Sequence, residues 1–119
     1  MQLAVQNFTH YNERYRTITA DFPAAVLDND FDLSALPSDQ LAKLGRTFWD
    51  YFNLCLEQFQ LRERGLVPRA IWQIWESGIR EAMRRPAFRQ GWSLVKTVTS
   101  YQDAPQFVRL MDELAMAPK

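Results

Sequence analysis

The sequence has few of the residues that carry metal, disulfide and nucleophile chemistry. It contains one cysteine, Cys55, and one histidine, His10. A single cysteine excludes an intramolecular disulfide framework, and with one histidine it excludes the ligand sets of structural zinc sites. No glycine-rich phosphate loop or nucleophile elbow occurs among the four glycines. We therefore expect no catalytic site, no metal site and no cofactor.

Charge of one sign and long apolar runs are also absent. The formal net charge is zero, so no long-range field draws the molecule to nucleic acid or to an anionic membrane. No apolar run reaches the length of about 18 residues that a membrane-spanning helix needs, and the first ten residues lack the pattern of a secretory signal. These features predict a cytoplasmic protein. The length of 119 residues and the 47% hydrophobic content predict one folded domain over residues 1–119.

What the sequence does contain is helical periodicity interrupted by proline. Apolar residues recur three and four positions apart, and no sustained two-residue alternation indicates strands. Pro37, Pro68, Pro86 and Pro105 each stand at a predicted helix start, and Gly65 stands at a predicted helix end. The pattern predicts five helices, over residues 2–20, 38–64, 68–84, 86–101 and a short one from 105 onward.

The second predicted helix is the longest and is apolar around much of its circumference. Ser38 is its expected N-cap, and Gly65 is the expected left-handed residue after its end. Before it, Phe31, Leu33 and Leu36 are expected to hold an otherwise irregular acidic loop on the core. The sequence therefore predicts an all-α fold, a small antiparallel bundle of about five helices around this central helix.

Tryptophan and arginine are concentrated between Gly65 and Trp92. Four tryptophans are difficult to bury completely in so small a domain, so we expect at least one indole at the surface near the third helix. Tryptophan beside arginine is typical of binding hot spots. The candidate binding residues are Trp72, Trp75, Arg80, Arg84, Arg85 and Arg89.

Glu57 is a structural candidate because it lies on a helix rich in apolar residues. A covered carboxylate needs a partner, since an unpaired buried charge is costly. We expect Glu57 to join two helices through a hydrogen bond. Its candidate partners are Arg62, Arg80, Arg84 and the indole N–H groups of Trp72 and Trp75.

About a third of the chain carries a specific arrangement of aromatic and turn residues. It consists of Tyr51 to Phe59, Arg64-Gly65-Leu66-Val67-Pro68, Trp72, Trp75, Arg85-Pro86-Ala87-Phe88-Arg89 and Trp92. This arrangement resembles an uncharacterised bacterial family of small helical domains that often lie on the cytoplasmic side of an N-terminal membrane helix. The resemblance implies a helical fold and a membrane-proximal setting, and it implies no reaction or cofactor. Because this sequence has no membrane helix, it is either a soluble member or a fragment of a membrane-anchored protein.

Three functional hypotheses follow from these features. The first is a non-catalytic protein–protein interaction or regulatory module that presents its tryptophans and arginines to a protein partner or to a second copy. The alternative is a membrane-proximal sensory domain that binds a small anionic ligand in a pocket of Glu57, arginine and tryptophan side chains. A second alternative is a sequence-independent nucleic acid binder that uses the basic stretch from Arg62 to Arg89. The zero net charge and the absence of a reading motif argue against nucleic acid as a partner.

Overall fold

In the part of the chain that the structure describes there are five α-helices, and the other four pack around the second. The computed structural model describes residues 2–98, 101 and 103–116, with side chains for residues 8–97, 101 and 103–116. Within these ranges there is no strand, so the predicted all-α small helical bundle is confirmed. The helices are α1 (Gln2–Thr19), α2 (Ser38–Glu63), α3 (Arg69–Met83), α4 (Pro86–Val98) and α5 (Pro105–Met116), with 3₁₀ turns at Ala24–Leu27 and Leu33–Ala35.

The end of α2 follows its sequence signal closely. Gly65 has a φ of +68°, the left-handed conformation that glycine adopts at low cost. Its N–H donates to the carbonyl of Arg62 at 3.0 Å, and the N–H of Leu66 donates to the carbonyl of Leu61 at 2.9 Å. This pair of hydrogen bonds is a Schellman motif, which turns the chain out of α2 toward α3.

Two helix starts differ from the prediction by one residue. Pro37 and Pro68 are themselves the N-caps of α2 and α3, in extended conformations with ψ near 150°. An N-cap needs this non-helical backbone, so Ser38 is the first helical residue of α2 and the prediction of Ser38 as N-cap is wrong. The fourth helix ends at Val98, and Tyr101 is buried but not helical. Residues 99 and 100, within its predicted span, lie outside the described residues.

The segment between α1 and α2 is held against α4 by one amide side chain. The Oε1 atom of Gln90 accepts the N–H of Leu33 at 2.6 Å, and its Nε2 atom donates to the carbonyl of Phe31 at 2.8 Å. Leu33 is buried, while Phe31 and Leu36 are half-buried against the core. The predicted attachment of this loop through its apolar residues is confirmed.

The core is largely aromatic and is centred on α2. One cluster joins α2 to α4 and to the end of α1, with ring centroids 4.8 to 6.2 Å apart. This is the spacing at which aromatic pairs interact favourably. The cluster consists of Phe22, Phe48, Tyr51 and Phe88. A second cluster, in which α5 takes part, consists of Phe52, Phe59, Trp92, Tyr101 and Phe107.

The α4 backbone approaches α2 closely at Gly91. A Cβ atom at this position would lie 2.6 Å from the ring of Phe48, which is fully buried. Only a residue without a side chain lets α4 pass so near the Phe48 ring. Along the described chain, no helix combines the length and apolarity needed to cross a lipid bilayer.

We expect Gly91→Ala to lower the free energy of unfolding by about 1–3 kcal/mol, because the added methyl group would overlap the Phe48 ring. Gly78→Ala is the matched control, since Gly78 also lies inside a helix but a Cβ there meets nothing within 4 Å. That substitution should raise the free energy of unfolding by about 0.5–1 kcal/mol through helix propensity. Urea denaturation measures both values. Equal effects of the two substitutions would contradict the close approach of α4 to Phe48.

Candidate functional site

The two candidate tryptophans of α3 are buried in the core. Trp72 and Trp75 are each 5% exposed, and Trp72 packs its ring against Phe59 of α2. The expectation of an exposed indole near the third helix is therefore wrong. The exposed indole is Trp49 of α2, at 44%. The reason is that Trp72 and Trp75 share the face of α3 with Ile79, and this face covers α2.

The arginines at the end of α3 pair with acids of their own helix. Arg80 contacts Glu76 at 3.0 Å, and Arg84 contacts Glu81 at 3.5 Å. The spacings are four and three residues, which place each pair on one side of the helix. Such exposed pairs contribute little stability. The glutamates of these pairs do, however, balance positive charge in this arginine-rich region.

The other two candidate arginines donate hydrogen bonds to backbone carbonyls. Arg89 donates to the carbonyls of Met83 and Arg84 at 3.1 and 2.7 Å, which satisfies free acceptors at the end of α3. Arg85 donates one hydrogen bond to the carbonyl of Leu27 at 3.2 Å. The four candidate arginines therefore form no common basic surface. Arg80, Arg84 and Arg89 bond to groups of α3 or its end, and Arg85 bonds to the segment after α1.

Glu57 joins two helices as predicted, but through different partners. Its two carboxylate oxygens accept hydrogen bonds from Arg14 of α1 at 2.7 and 3.0 Å, and Oε1 also accepts the hydroxyl of Tyr11 at 3.2 Å. None of the expected partners on α2 or α3 contacts Glu57. The hydrogen bonds from Arg14 lower the pKa of Glu57 more than partial burial raises it. Glu57 thus fixes α1 to α2.

A shallow depression beside this pair contains the residue types expected of an anion pocket. It is lined by Arg14, Trp49 and Glu57, together with the carboxylates of Glu13 and Asp50. Three carboxylates therefore surround one arginine, and that arginine is already bonded to Glu57. The local charge is negative, which opposes a small anionic ligand.

A different and more apolar feature lies on the other side of α1. Two adjoining cavities of about 210 and 330 Å³ share Tyr15 and Gly78 and form one groove between α1 and α3. Its lining residues recur at three- and four-residue steps along each helix, which places them on one face of that helix. The α1 wall consists of Asn12, Tyr15 and Thr19, the α3 wall of Ile74, Gly78 and Ala82, and the floor of Tyr51, Leu54 and Cys55 of α2. We call this feature the α1–α3 groove.

Large apolar side chains border the α1–α3 groove without being covered. Tyr15, Leu27 and Ile74 are each about half-exposed, with Ile74 at 58%. Gly78 lies between these side chains, and because it has no side chain itself, the α3 wall is lowest at this position. Burial raises the pKa of the Cys55 thiol beneath the floor to about 12, so this cysteine is an unreactive part of the packing.

Trp75 lines the same groove and carries an unusual buried donor. Its indole Nε1 is the one buried side-chain nitrogen or oxygen without a hydrogen-bond partner in the described part of the chain. Buried donors in native proteins normally have an acceptor. Trp75 and Arg85 are the two candidate residues from the sequence that line the α1–α3 groove.

Sequence reasoning missed Tyr15, Ile74 and Gly78. The one available signal was Gly78, since a glycine inside a predicted helix costs about 1 kcal/mol relative to alanine without ending the helix. Nothing in the sequence shows that α1 and α3 both lie on α2 with a gap between them. The groove therefore depends on tertiary packing.

Neither a metal-binding cluster among the described residues nor a similar protein adds to this description of the groove. Among the described residues, no three histidine, cysteine, aspartate or glutamate side chains come together in a way that would hold a metal ion. No family model, no curated protein and no solved structure matches the chain. The resemblance seen between Tyr51 and Trp92 stays a prediction.

The Arg14–Glu57 pair yields a prediction about pH. A double-mutant cycle with Arg14→Ala and Glu57→Ala should give a coupling energy of about 0.5–1 kcal/mol at neutral pH, since the pair is partly exposed. Because the pKa of Glu57 is lower in the folded than in the unfolded chain, the coupling is complete above the ordinary value of 4.5. It is lost as the pH falls through the lowered pKa of the folded protein.

The exposed pair of Arg84 and Glu81 provides the control for this cycle. Its coupling should be at most a few tenths of a kcal/mol at any pH. Denaturant unfolding between pH 3 and 7 measures both cycles. A coupling between Arg14 and Glu57 at pH 7 no larger than that of the control pair would contradict the junction of α1 and α2 through this carboxylate.

Proposed function

We propose that this protein is a non-catalytic helical interaction module whose docking surface is the α1–α3 groove. The observation that carries the proposal is the cluster of half-exposed apolar side chains, Tyr15, Leu27 and Ile74, around an open groove with an apolar floor. Single exposed apolar residues are ordinary on protein surfaces. A group of them around one concave feature is typical of a protein-binding site.

The proposal keeps part of the tryptophan and arginine hypothesis and changes its location. Trp75 and Arg85 line the groove, whereas Trp72 is buried in the core and does not line it. Arg80, Arg84 and Arg89 make their recorded contacts within the chain, along α3 and at its end. The partner surface we propose is therefore formed by α1 and α3, and not by the junction of α3 and α4.

The two alternative functions have weaker support from the geometry. A small anionic ligand would meet an excess of carboxylates in the depression around Arg14 and Glu57. A nucleic acid binder needs arginines that are free to reach phosphates, whereas Arg80 and Arg84 each contact a glutamate of α3. A position near a membrane is compatible with the interaction module and would place the groove beside a membrane-bound partner.

A peptide-display selection tests the docking surface. Peptides of about 16 residues with unrestricted sequence are selected on the purified protein, and their affinities are measured by fluorescence anisotropy. Gly78→Phe fills the groove between Tyr15 and Ile74, and it should weaken binding of the enriched peptides by roughly tenfold or more. Thermal unfolding confirms that the variant stays folded.

Gln73→Phe supplies the matched control, because Gln73 is exposed on α3 and neither it nor its neighbours one turn away line the groove. It should change the affinity less than twofold. If no peptide is enriched, or if both variants weaken binding equally, the α1–α3 groove is not the docking surface.

A further inference from the structure

The construction of the α1–α3 groove restricts the backbone conformation of its occupant. Where Ile74 lines the groove, both walls are α-helices and the floor is a third helix, so the backbone N–H and C=O groups there are bonded within those helices. Toward Arg85 the wall is continued by residues 22–27, where the N–H of Val26 donates to the carbonyl of Pro23 and the carbonyl of Leu27 accepts from Arg85. An extended peptide would bury its own backbone groups there without partners, which is costly. A helical peptide satisfies its backbone groups internally and presents only side chains.

The dimensions of the groove fit a short helix. Its α3 wall runs from Ile74 past Gly78 to Ala82, a distance of about 12 Å at 1.5 Å per residue. With Arg85 beyond Ala82, the accessible length corresponds to about three helical turns. The low wall at Gly78 leaves room for one large side chain at the middle of that length.

The end of the groove at Arg85 carries an unbalanced positive charge. Arg85 uses one N–H for the Leu27 carbonyl, and no described carboxylate lies within ion-pairing distance of its guanidinium group. Glu81 lines the same end, but it contacts Arg84 at 3.5 Å. An arginine at the rim of an apolar groove is a suitable partner for a carboxylate on the occupant.

On these grounds we propose that the α1–α3 groove holds an amphipathic α-helix of a partner protein. This helix is about three turns long, inserts a large apolar side chain beside Gly78, and carries an acidic residue that pairs with Arg85. This inference rests on the proposed function. It adds the conformation of the partner segment and the sign of its charge.

The helical conformation is tested with the peptides enriched in the display selection. Those that lose affinity in the Gly78→Phe variant should show apolar residues at three- and four-residue spacing and an increase in helical circular dichroism when bound. A proline substituted at the centre of such a peptide should weaken binding by roughly tenfold or more, since it breaks the helix. Proline at the first position is the control, because proline is tolerated at a helix start.

The acidic contact is tested from both sides. Replacing the acidic residue of an enriched peptide by lysine should weaken its binding to the unaltered protein about tenfold, and Arg85→Glu should restore the binding of this lysine peptide. Arg80→Glu is the matched control, since Arg80 lies near the same end of α3 and neither it nor its partner Glu76 lines the groove. It should leave the affinity of both peptides within about twofold.

Failure of this inference can be distinguished from failure of the proposed function. Peptides that depend on Gly78 but bind without helix, or that carry no acidic residue sensitive to Arg85, would overturn the inference and leave the docking surface in place. Sedimentation that shows a dimer broken by Gly78→Phe would overturn it in favour of a second copy as occupant. Displacement of the peptides by a fatty acid would overturn it in favour of a lipid.

Discussion

The structure depends on the close approach of α4 to α2 where Gly91 faces the Phe48 ring. Phe48 is fully buried, and the ring leaves no space for a Cβ atom on the opposing helix. This contact brings Phe88 and Trp92, on either side of Gly91, against the aromatic residues of α2. Once α4 occupies this face of α2, α1 and α3 must pack elsewhere around the same helix. The α1–α3 groove is a consequence of that division of the α2 surface.

The outer helices are fixed by a few polar side chains, each of which crosses between elements. Glu57 binds Arg14 and Tyr11 of α1. Asp112 of α5 accepts a hydrogen bond from the indole N–H of Trp92 at 2.8 Å and forms an ion pair with Lys96, also at 2.8 Å. Burial alone would raise the pKa of Asp112, but the hydrogen bonds from Trp92 and Lys96 have a larger effect, and the pKa is lowered. The aromatic core supplies most of the burial, and these carboxylates determine where the peripheral helices lie on it.

Local sequence signals predicted the helices well, because proline and glycine act through their own backbone. The left-handed φ of Gly65 and the helix starts at Pro86 and Pro105 need no knowledge of the rest of the chain. The partners of Glu57 could not be predicted in this way, since Arg14 lies 43 residues away on another helix. The same limit applies to Trp49. It belongs to the broad apolar surface of α2, but whether that part of the surface is covered depends on where α1 packs.

The pairing of the arginines explains why the docking surface that we propose differs from the one that composition indicated. A basic stretch attracts acidic or phosphate partners only where its charge is unbalanced, and Arg80 and Arg84 are each balanced by a glutamate one turn away. Arg85 is different because it lines the groove and forms no ion pair with either glutamate. The recognition surface that we propose is therefore mainly apolar, with Arg85 and Glu81 at one end. On such a surface, burial would supply most of the affinity and an ion pair with Arg85 would set the orientation.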